Sequence, residues 1–346
     1  MATPPSTAIG IDLGRHSIKA VALQRKSTGQ LCLTHLASHL MDPAAPPTVE
    51  SLAQHLKTVL QQLGTRTKAC GIAISHPDLL VRIVEQPETP REVLRDAIRF
   101  NSQSLLNHDC KDYVLDCDLI AASAPASAAP DKPAQRRYLV VGLPRPLVSV
   151  VYDACQKIKL PPTTLTASSV AACNAFEFSN EATFFHQAFV LVDVGHHSTT
   201  VMVGAKKELI LVRTLDYGSH HFIHELLSQA GGDPVSVLRQ LMAHDPQISE
   251  TARLSLTELV RAVNSSIGFV EARREEIIPR VYAHGGLFKT AAVSELLTEE
   301  LQLPCEIWNP FAQCEINVST AQRPILEAEL PTLGAAFGVA AGILKP

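Results

Sequence analysis

Two short stretches of this chain carry residue types that could hold phosphate. They are Asp12-Leu13-Gly14-Arg15-His16-Ser17-Ile18-Lys19 and Asp193-Val194-Gly195-His196-His197-Ser198-Thr199-Thr200. Both read D-[LV]-G-x-H-S, and each joins one apolar run to another. A glycine at such a tip lets the backbone approach a ligand with no Cβ in the way. Successive N–H groups there form a concavity for an anion, and Ser or Thr hydroxyls add donors. The aspartate ending each first run would face the same space and hold Mg²⁺ through its waters, which that ion gives up reluctantly. A single Asp-x-Gly also makes an ordinary turn. Two copies facing each other across a cleft would grip a triphosphate from both sides. A third element, His284-Gly285-Gly286 between a strand-like and a helix-like run, would bring its backbone up to an adenosine.

These groups need strands that end together. The pattern predicts strands at Ala8–Ile11, Ile18–Leu23 and Leu31–Leu36, then a helix over Thr48–Leu63 that stops at Gly64. Residues 70–75 and 79–84 read as strands around the His76-Pro77 turn, and Pro90 opens a helix over Arg91–Phe100. A strand over 113–119 leads into the small, proline-rich stretch 121–135, expected to be a mobile loop. Tyr138–Leu143 reads as a buried strand, Pro144–Leu160 as a helix and Thr166–Phe176 as another helix. Past Asn180 the opening returns, with strands at Ala188–Val192, Thr199–Val203 and Leu209–Leu215. Residues 233–280 are mostly helical by periodicity, Val281–Gly286 is a strand, and Pro331–Leu344 closes the chain as a helix. Such a repeat implies two lobes of one architecture.

Composition narrows the function. The chain has 346 residues, 46% of them hydrophobic, and a net charge of −4. That balance gives no electrostatic footprint for nucleic acid, and 5% aromatic residues leave few platforms for base stacking. The 8 cysteines form no C-x-x-C pair, which points to reduced core thiols in a cytoplasmic protein. The opening MATPPSTAIG has neither a basic nor an apolar signal-peptide region. The longest apolar stretch, at 333–344, is too short to span a bilayer, so no direct membrane insertion is expected.

The ordered set of two D-x-G hairpins and a Gly-Gly turn resembles the actin-like ATPase superfamily of actin, heat-shock ATPases, sugar kinases and the divisome protein FtsA. Further segments narrow the likeness to the PilM family of type IV pilus assembly proteins. They are Leu80–Gln86 with Pro90-Arg91-Glu92-Val93 and Ala97-Ile98-Arg99-Phe100, and Gly142-Leu143-Pro144-Arg145 heading a helix. Pro304–Phe311 after the Gly-Gly turn and the small-residue run from Leu333 also match. The resemblance implies an α/β, two-lobed actin-like fold built from ribonuclease H-like repeats, with a small inserted α+β subdomain in the first lobe. The lobes would span 1–180, with the insertion at about 41–137, and 181–330, with a helical subdomain at about 217–280. Residues 331–346 would return to the first lobe as a helix.

Carried over by position, Asp12, Gly14, Arg15, His16, Ser17 and Lys19 would serve one phosphate element. Asp193, Gly195, His197, Ser198 and Thr199 would serve the second, and Gly285, Gly286 and Lys289 the nucleoside side. The implied cofactors are ATP and Mg²⁺, held through water by Asp12 and Asp193. The implied partner is the cytoplasmic tail of a PilN-like inner-membrane protein, placing this protein peripherally at that membrane. Other pilus-assembly subunits and homo-oligomers are further implied partners.

Three features depart from the family pattern. The stretch Thr166-Ala167-Ser168-Ser169-Val170 holds no carboxylate where the family often has an acidic D-x-E, and hydrolysis needs a group that orients water. Leu287-Phe288-Lys289 stands where small residues are usual, so Phe288 would either stack on a base or block it. Arg15, His16, His196 and His197 make the phosphate loops bulky and basic, able to pair with phosphate or to fill an empty cleft. A nucleotide-stabilised adaptor is therefore expected. An active ATPase or small-molecule kinase, with His16 or His197 as base, and a nucleotide-free scaffold are the alternatives. His220 and His224 share a helical face, but no third ligand of H-E-x-x-H type follows them.

Overall fold

The structure is a computed structural model and describes residues 5–41, 47–120 and 135–345. Each D-x-G stretch closes a hairpin because β-branched and small apolar residues flank a glycine tip. The first lobe opens with an antiparallel meander of β1 (Thr7–Leu13), β2 (Ser17–Arg25) and β3 (Leu31–Leu40). Helix α1 (Val49–Leu63) starts at a Thr48 cap and stops at Gly64, and β4 (Cys70–Ile74) then pairs parallel to β1. Next come β5 (Leu80–Pro87), α2 (Arg91–Phe100), α3 (Ser102–Leu106), β6 (Tyr113–Leu119) and β7 (Gln135–Pro144). These strands form a separate 3-stranded sheet in the order β5-β7-β6. Helix α4 (Arg145–Lys157) leads back to β8 (Thr164–Ala167), parallel to β4, and α5 (Ser168–Ser179) follows.

After α6 (Glu181–His186) the pattern repeats with β9 (Ala188–Val194), β10 (Thr199–Ala205) and β11 (Glu208–Leu215). Helices α7 (Ser219–Ala230), α8 (Pro234–Met242) and α9 (Pro246–Arg274) cover this sheet. Then come β12 (Val281–Gly285), α10 (Ala291–Leu301), β13 (Cys305–Ile307), β14 (Glu315–Ile316), α11 (Arg323–Glu329) and α12 (Gly334–Leu344). The strand orders are β14-β3-β2-β1-β4-β8 and β11-β10-β9-β12-β13. Leaving β14 aside, each is third-second-first-fourth-fifth, with a hairpin joining the first two. The sequence repeat is thus a repeat of topology, and the fold is the two-lobed actin-like architecture.

Three expectations need correcting. The separate sheet runs from Leu80 to Pro144, whereas α1 and β4, expected inside an insertion beginning near 41, belong to the first lobe's own sheet and its cover. The helix expected from Thr166 begins at Ser168, because the Thr-Leu-Thr-Ala run is extended by pairing with β4. Within 181–330, β14 pairs with β3 and so lies on the first lobe's sheet. Of the proline-rich stretch 121–135, expected to be a mobile loop, residues 121–134 lie outside the described residues and Gln135 opens β7.

One apolar core runs beneath both lobes. Phe176 of α5 packs on Phe189 of β9 at 4.7 Å and on Trp308 at 5.6 Å, and the Trp308 indole N–H donates to Ser179 and Asn180. Each fully buried ring of this kind contributes about 1.5–3 kcal/mol by leaving water. A second tie is ionic. The buried Glu208 of β11 accepts from Arg137 of β7 and, at 2.8 Å, from Arg274 at the end of α9. Arg137 also donates to the Ile210 carbonyl, so the small sheet is bound to the second lobe. Every cysteine is a free thiol, and burial, then Glu177, pushes Cys173 up to about 12. Among the described residues no helix is long and apolar enough to cross a membrane.

Helix α12 lies against β1 and α5 at backbone contact. A Cβ on Gly338 would collide with the Ala171 carbonyl, and one on Gly10 with that of Ala336. Gly268, inside α9, has open space instead. Gly338→Ala should therefore lower the unfolding free energy by about 1–3 kcal/mol through overpacking. Gly268→Ala should leave it equal or higher by up to about 1 kcal/mol through helix propensity. Urea unfolding of the two variants checks this, and equal effects would refute the packing argument.

Candidate functional site

The two hairpin tips converge on a cleft of about 740 Å³ between the lobes. Their geometry is the same. Gly14 donates its N–H to the Ser17 carbonyl at 3.1 Å, and Gly195 to that of Ser198 at 2.9 Å. The first tip is steadied by Met41, whose N–H reaches the His16 carbonyl. The second is gripped by the start of α7, where Ser219 and His220 N–H groups bond the Gly195 and His196 carbonyls. Gly218 makes this approach feasible, since a Cβ there would strike the His196 carbonyl.

Strand register sets the partners of the two aspartates. Asp12 lies opposite Lys19 across the β1–β2 ladder, and Lys19 Nζ reaches its Oδ2 at 3.3 Å. Ser168, first residue of α5, donates to the other oxygen at 2.9 Å. Asp193 lies opposite Thr200 on β10 and beside His284 on β12. His284 Nδ1 stands 3.0 Å from Asp193 Oδ1, while its Nε2 is 2.9 Å from the Gly334 N–H. A backbone N–H can only donate, so Nε2 accepts and the proton sits on Nδ1, where it donates to Asp193. Burial alone would raise the Asp193 carboxyl, but the pairing with His284 and the charge of Lys19 hold it below its ordinary value. Asp193 Oδ2 has no hydrogen-bond partner among the described residues.

Between the tips lies a cluster of imidazoles. His16 stacks on His196 from the opposite hairpin, with ring centroids 4.3 Å apart and planes 16° from parallel. His196 also touches His197 at 4.5 Å and His220 at 5.3 Å. His220 and His224, on one face of α7, line the same cleft. Among the described residues no group of three side chains could hold a metal ion. Burial, then neighbouring positive and imidazole groups, keeps His16 and His197 below their ordinary value and lowers His196 to about 4. His16 Nδ1 and His197 Nε2 are buried without a hydrogen-bond partner.

Most of the expected residues line this cleft: Asp12, Gly14, Arg15, His16, Ser17 and Lys19 on one side, Asp193, Gly195, His197 and Ser198 on the other. Gly285, Gly286 and Lys289 complete it, with Lys289 Nζ 2.7 Å from Glu329. Gly285 has a φ of 106°, and a side chain there would run into the Val194 carbonyl. Thr199 is a correction. It is wholly buried, and its hydroxyl donates to the Tyr217 carbonyl at 2.7 Å, so strand alternation turns Thr200 to the cleft in its place. Phe288 neither stacks nor blocks, because its ring is buried in the second lobe's core. Sequence reasoning did not assign Ser168 to the site, and it read His196 only as part of a basic tip and His284 only as part of the adenosine turn, without their contacts to His16 and Asp193. The Ser-Ser pair following a short strand, and His284 just before Gly285, were the available signals.

Orphaned imidazole nitrogens, paired glycine tips and three nearby cations, Arg15, Lys19 and Lys289, fit a bound polyphosphate. The lowered imidazoles fix a sign for stability. A group with a lower pKa in the folded than in the unfolded chain binds fewer protons when folded, so stability rises with pH between the two values. For His196 that window runs from about 4 to 6.5. Without added nucleotide, melting temperature should fall as pH drops through this window, and His196→Gln should flatten the fall. Equal slopes for the two proteins in differential scanning fluorimetry would disprove the assignment.

Solved structures resemble the chain along its whole length. A PilM-PilN type IV pilus biogenesis complex matches with a TM-score of 0.81 at 22% identity, covering 99% of this chain and 100% of that one. A diol dehydratase-reactivating factor in nucleotide-free form matches at 0.56 and 10% identity, covering 99% and 100%. The ethanolamine utilization protein EutJ from Carboxydothermus hydrogenoformans matches at 0.54 and 15% identity, covering 98% and 90%. No curated protein matches. The family model for the type IV pilus assembly protein PilM matches residues 10–342. Two lobes of one topology, hairpins meeting at a cleft and a family match over nearly every residue lead to one conclusion: this chain belongs to the PilM family of type IV pilus assembly proteins.

Proposed function

We propose that the protein is a cytoplasmic adaptor of a type IV pilus or related secretion machine. It binds Mg-ATP between its lobes and docks the cytoplasmic tail of a PilN-like inner-membrane protein. The observation that carries the nucleotide reading is the convergence of both hairpins on one cleft with buried, unpartnered imidazole nitrogens. The tail reading is supported by family membership and by the likeness to a PilM-PilN complex.

Bound Mg-ATP would place negative charge between the two tips, which already meet through His16 and His196. The N–H groups and hydroxyls of Gly14–Ser17 and Gly195–Ser198 receive the phosphates, and Lys19 stands beside them as a cation. Asp12 and Asp193 hold the ion's waters, and Gly285 and Gly286 let the backbone meet the adenosine. An adaptor is favoured over an ATPase or kinase because Ser168, where an acid is usual, gives its hydroxyl to Asp12.

At a hundredfold excess of Mg-ATP over Kd, linkage should stabilise the protein by about 2.7 kcal/mol. Asp12→Ala and Asp193→Ala should each lose that gain. An unchanged melting temperature in millimolar Mg-ATP would sink the nucleotide reading. Fluorescence anisotropy with a labelled PilN-like tail peptide tests the other half, and no binding with or without Mg-ATP would sink it.

A further inference from the structure

We infer that His196, together with His16 and His197, grips the polyphosphate as imidazolium, so that the anion enters the cleft with uptake of protons from solvent. The inference rests on the nucleotide reading above and adds residues and a protonation state to it.

The argument starts from the stack. His16 and His196 come from different lobes, and their rings lie nearly parallel at 4.3 Å. Two imidazolium rings would repel at that distance, so an empty cleft favours the neutral forms. The surroundings act the same way. His16 faces Lys19, Lys289 and His220. His196 faces His16, His197, His220 and Arg15. His197 faces Arg15, His220 and His221, with Asp216 the one acid acting on it in the opposite sense. Asp12 pairs with Lys19 and Glu329 with Lys289, while Asp193 accepts from His284. Among the described residues no carboxylate is hydrogen-bonded to His16, His196 or His197, so the three rings are proton acceptors with no ionic partner of their own.

A polyphosphate sets several negative charges against the positive neighbours that, after burial, hold these imidazoles low. Anionic oxygens within a few ångströms favour the imidazolium form of each ring they touch. Protonation also turns an acceptor nitrogen into a donor. His16 Nδ1 and His197 Nε2, buried and without partners, gain an acceptor in the same step. Each imidazolium–phosphate contact is then a charge-assisted hydrogen bond.

The test is isothermal titration of the full chain with Mg-ATP near neutral pH, in buffers of low and high ionisation enthalpy. The expected result is uptake of about one to three protons per nucleotide, with affinity above neutrality falling roughly tenfold per pH unit for each proton taken up. The double variant His16→Asn/His196→Asn should bind with little buffer dependence. Should that variant not fold, the imidazole ¹⁵N shifts of the unaltered protein read the same event, moving to imidazolium values as Mg-ATP is added. Binding with equal heats in both buffers and no imidazolium signal would overturn the inference while leaving nucleotide binding intact. No binding at about pH 6 or about pH 8 would overturn the nucleotide reading and this inference with it.

Discussion

Asp193 is held by a hydrogen bond from an imidazole that is itself held by a backbone N–H, and the layout of the cleft follows from that chain. The donor to His284 is Gly334, first residue of α12, so the second lobe's aspartate is tied to the start of the helix that packs on the first lobe. Gly334 has no alternative, because a Cβ there would press on both His284 and Trp308. The register of β12 on β9 then carries Gly285 beneath the hairpin tip. A slip of one residue would turn His284 to the opposite face and leave a carboxylate without its donor.

The two halves of the cleft share a backbone and differ in chemistry. In the first lobe the position opposite the aspartate is Lys19, and the position beside it on the parallel neighbour is Ala73. In the second these are Thr200 and His284. One lobe therefore pairs its carboxylate with a cation and a serine hydroxyl, while the other hydrogen-bonds its own to a neutral imidazole. Arg15, Lys19 and Lys289 bring positive charge to a lining that also holds Asp12, Asp193, Asp216 and Glu329, with the imidazoles set between them. Bulk at the tips, which departs from the family pattern, is in structural terms a set of rings that meet in the middle.

The hairpins were legible because everything that makes them is local. Two apolar runs and a glycine lie within Ala8–Leu23 and again within Ala188–Val203, and that recurrence fixes two lobes. Helix α1 was legible for the same reason, with a Thr48 cap and a Gly64 stop. What stayed hidden depends on partners far along the chain. The Thr164–Ala167 segment is extended only because β4 offers it an edge, and its own residues lead straight into a small-residue helix. The limits of the small sheet depend on which strands pair, and amphipathic pattern does not record that. Thr199 and Thr200 are distinguishable only once the hairpin register is known. His284 and Asp193 are 91 positions apart, and His16 meets His196 only across the lobes.

The carboxylate of Glu208 leaves a mechanical mark on the whole assembly. It sits on an edge strand of the second lobe, yet one of its two guanidinium partners belongs to the small sheet that grows from the first. Stripping one cation from a buried carboxylate is costly, so this contact resists separation. This tether borders the apolar core beneath the lobes, which includes Leu209 and takes Ile83 and Leu139 of the small sheet against it. The small sheet therefore meets the second lobe through an ion pair and an apolar contact side by side, and a pull applied to it reaches β11 without passing through the cleft.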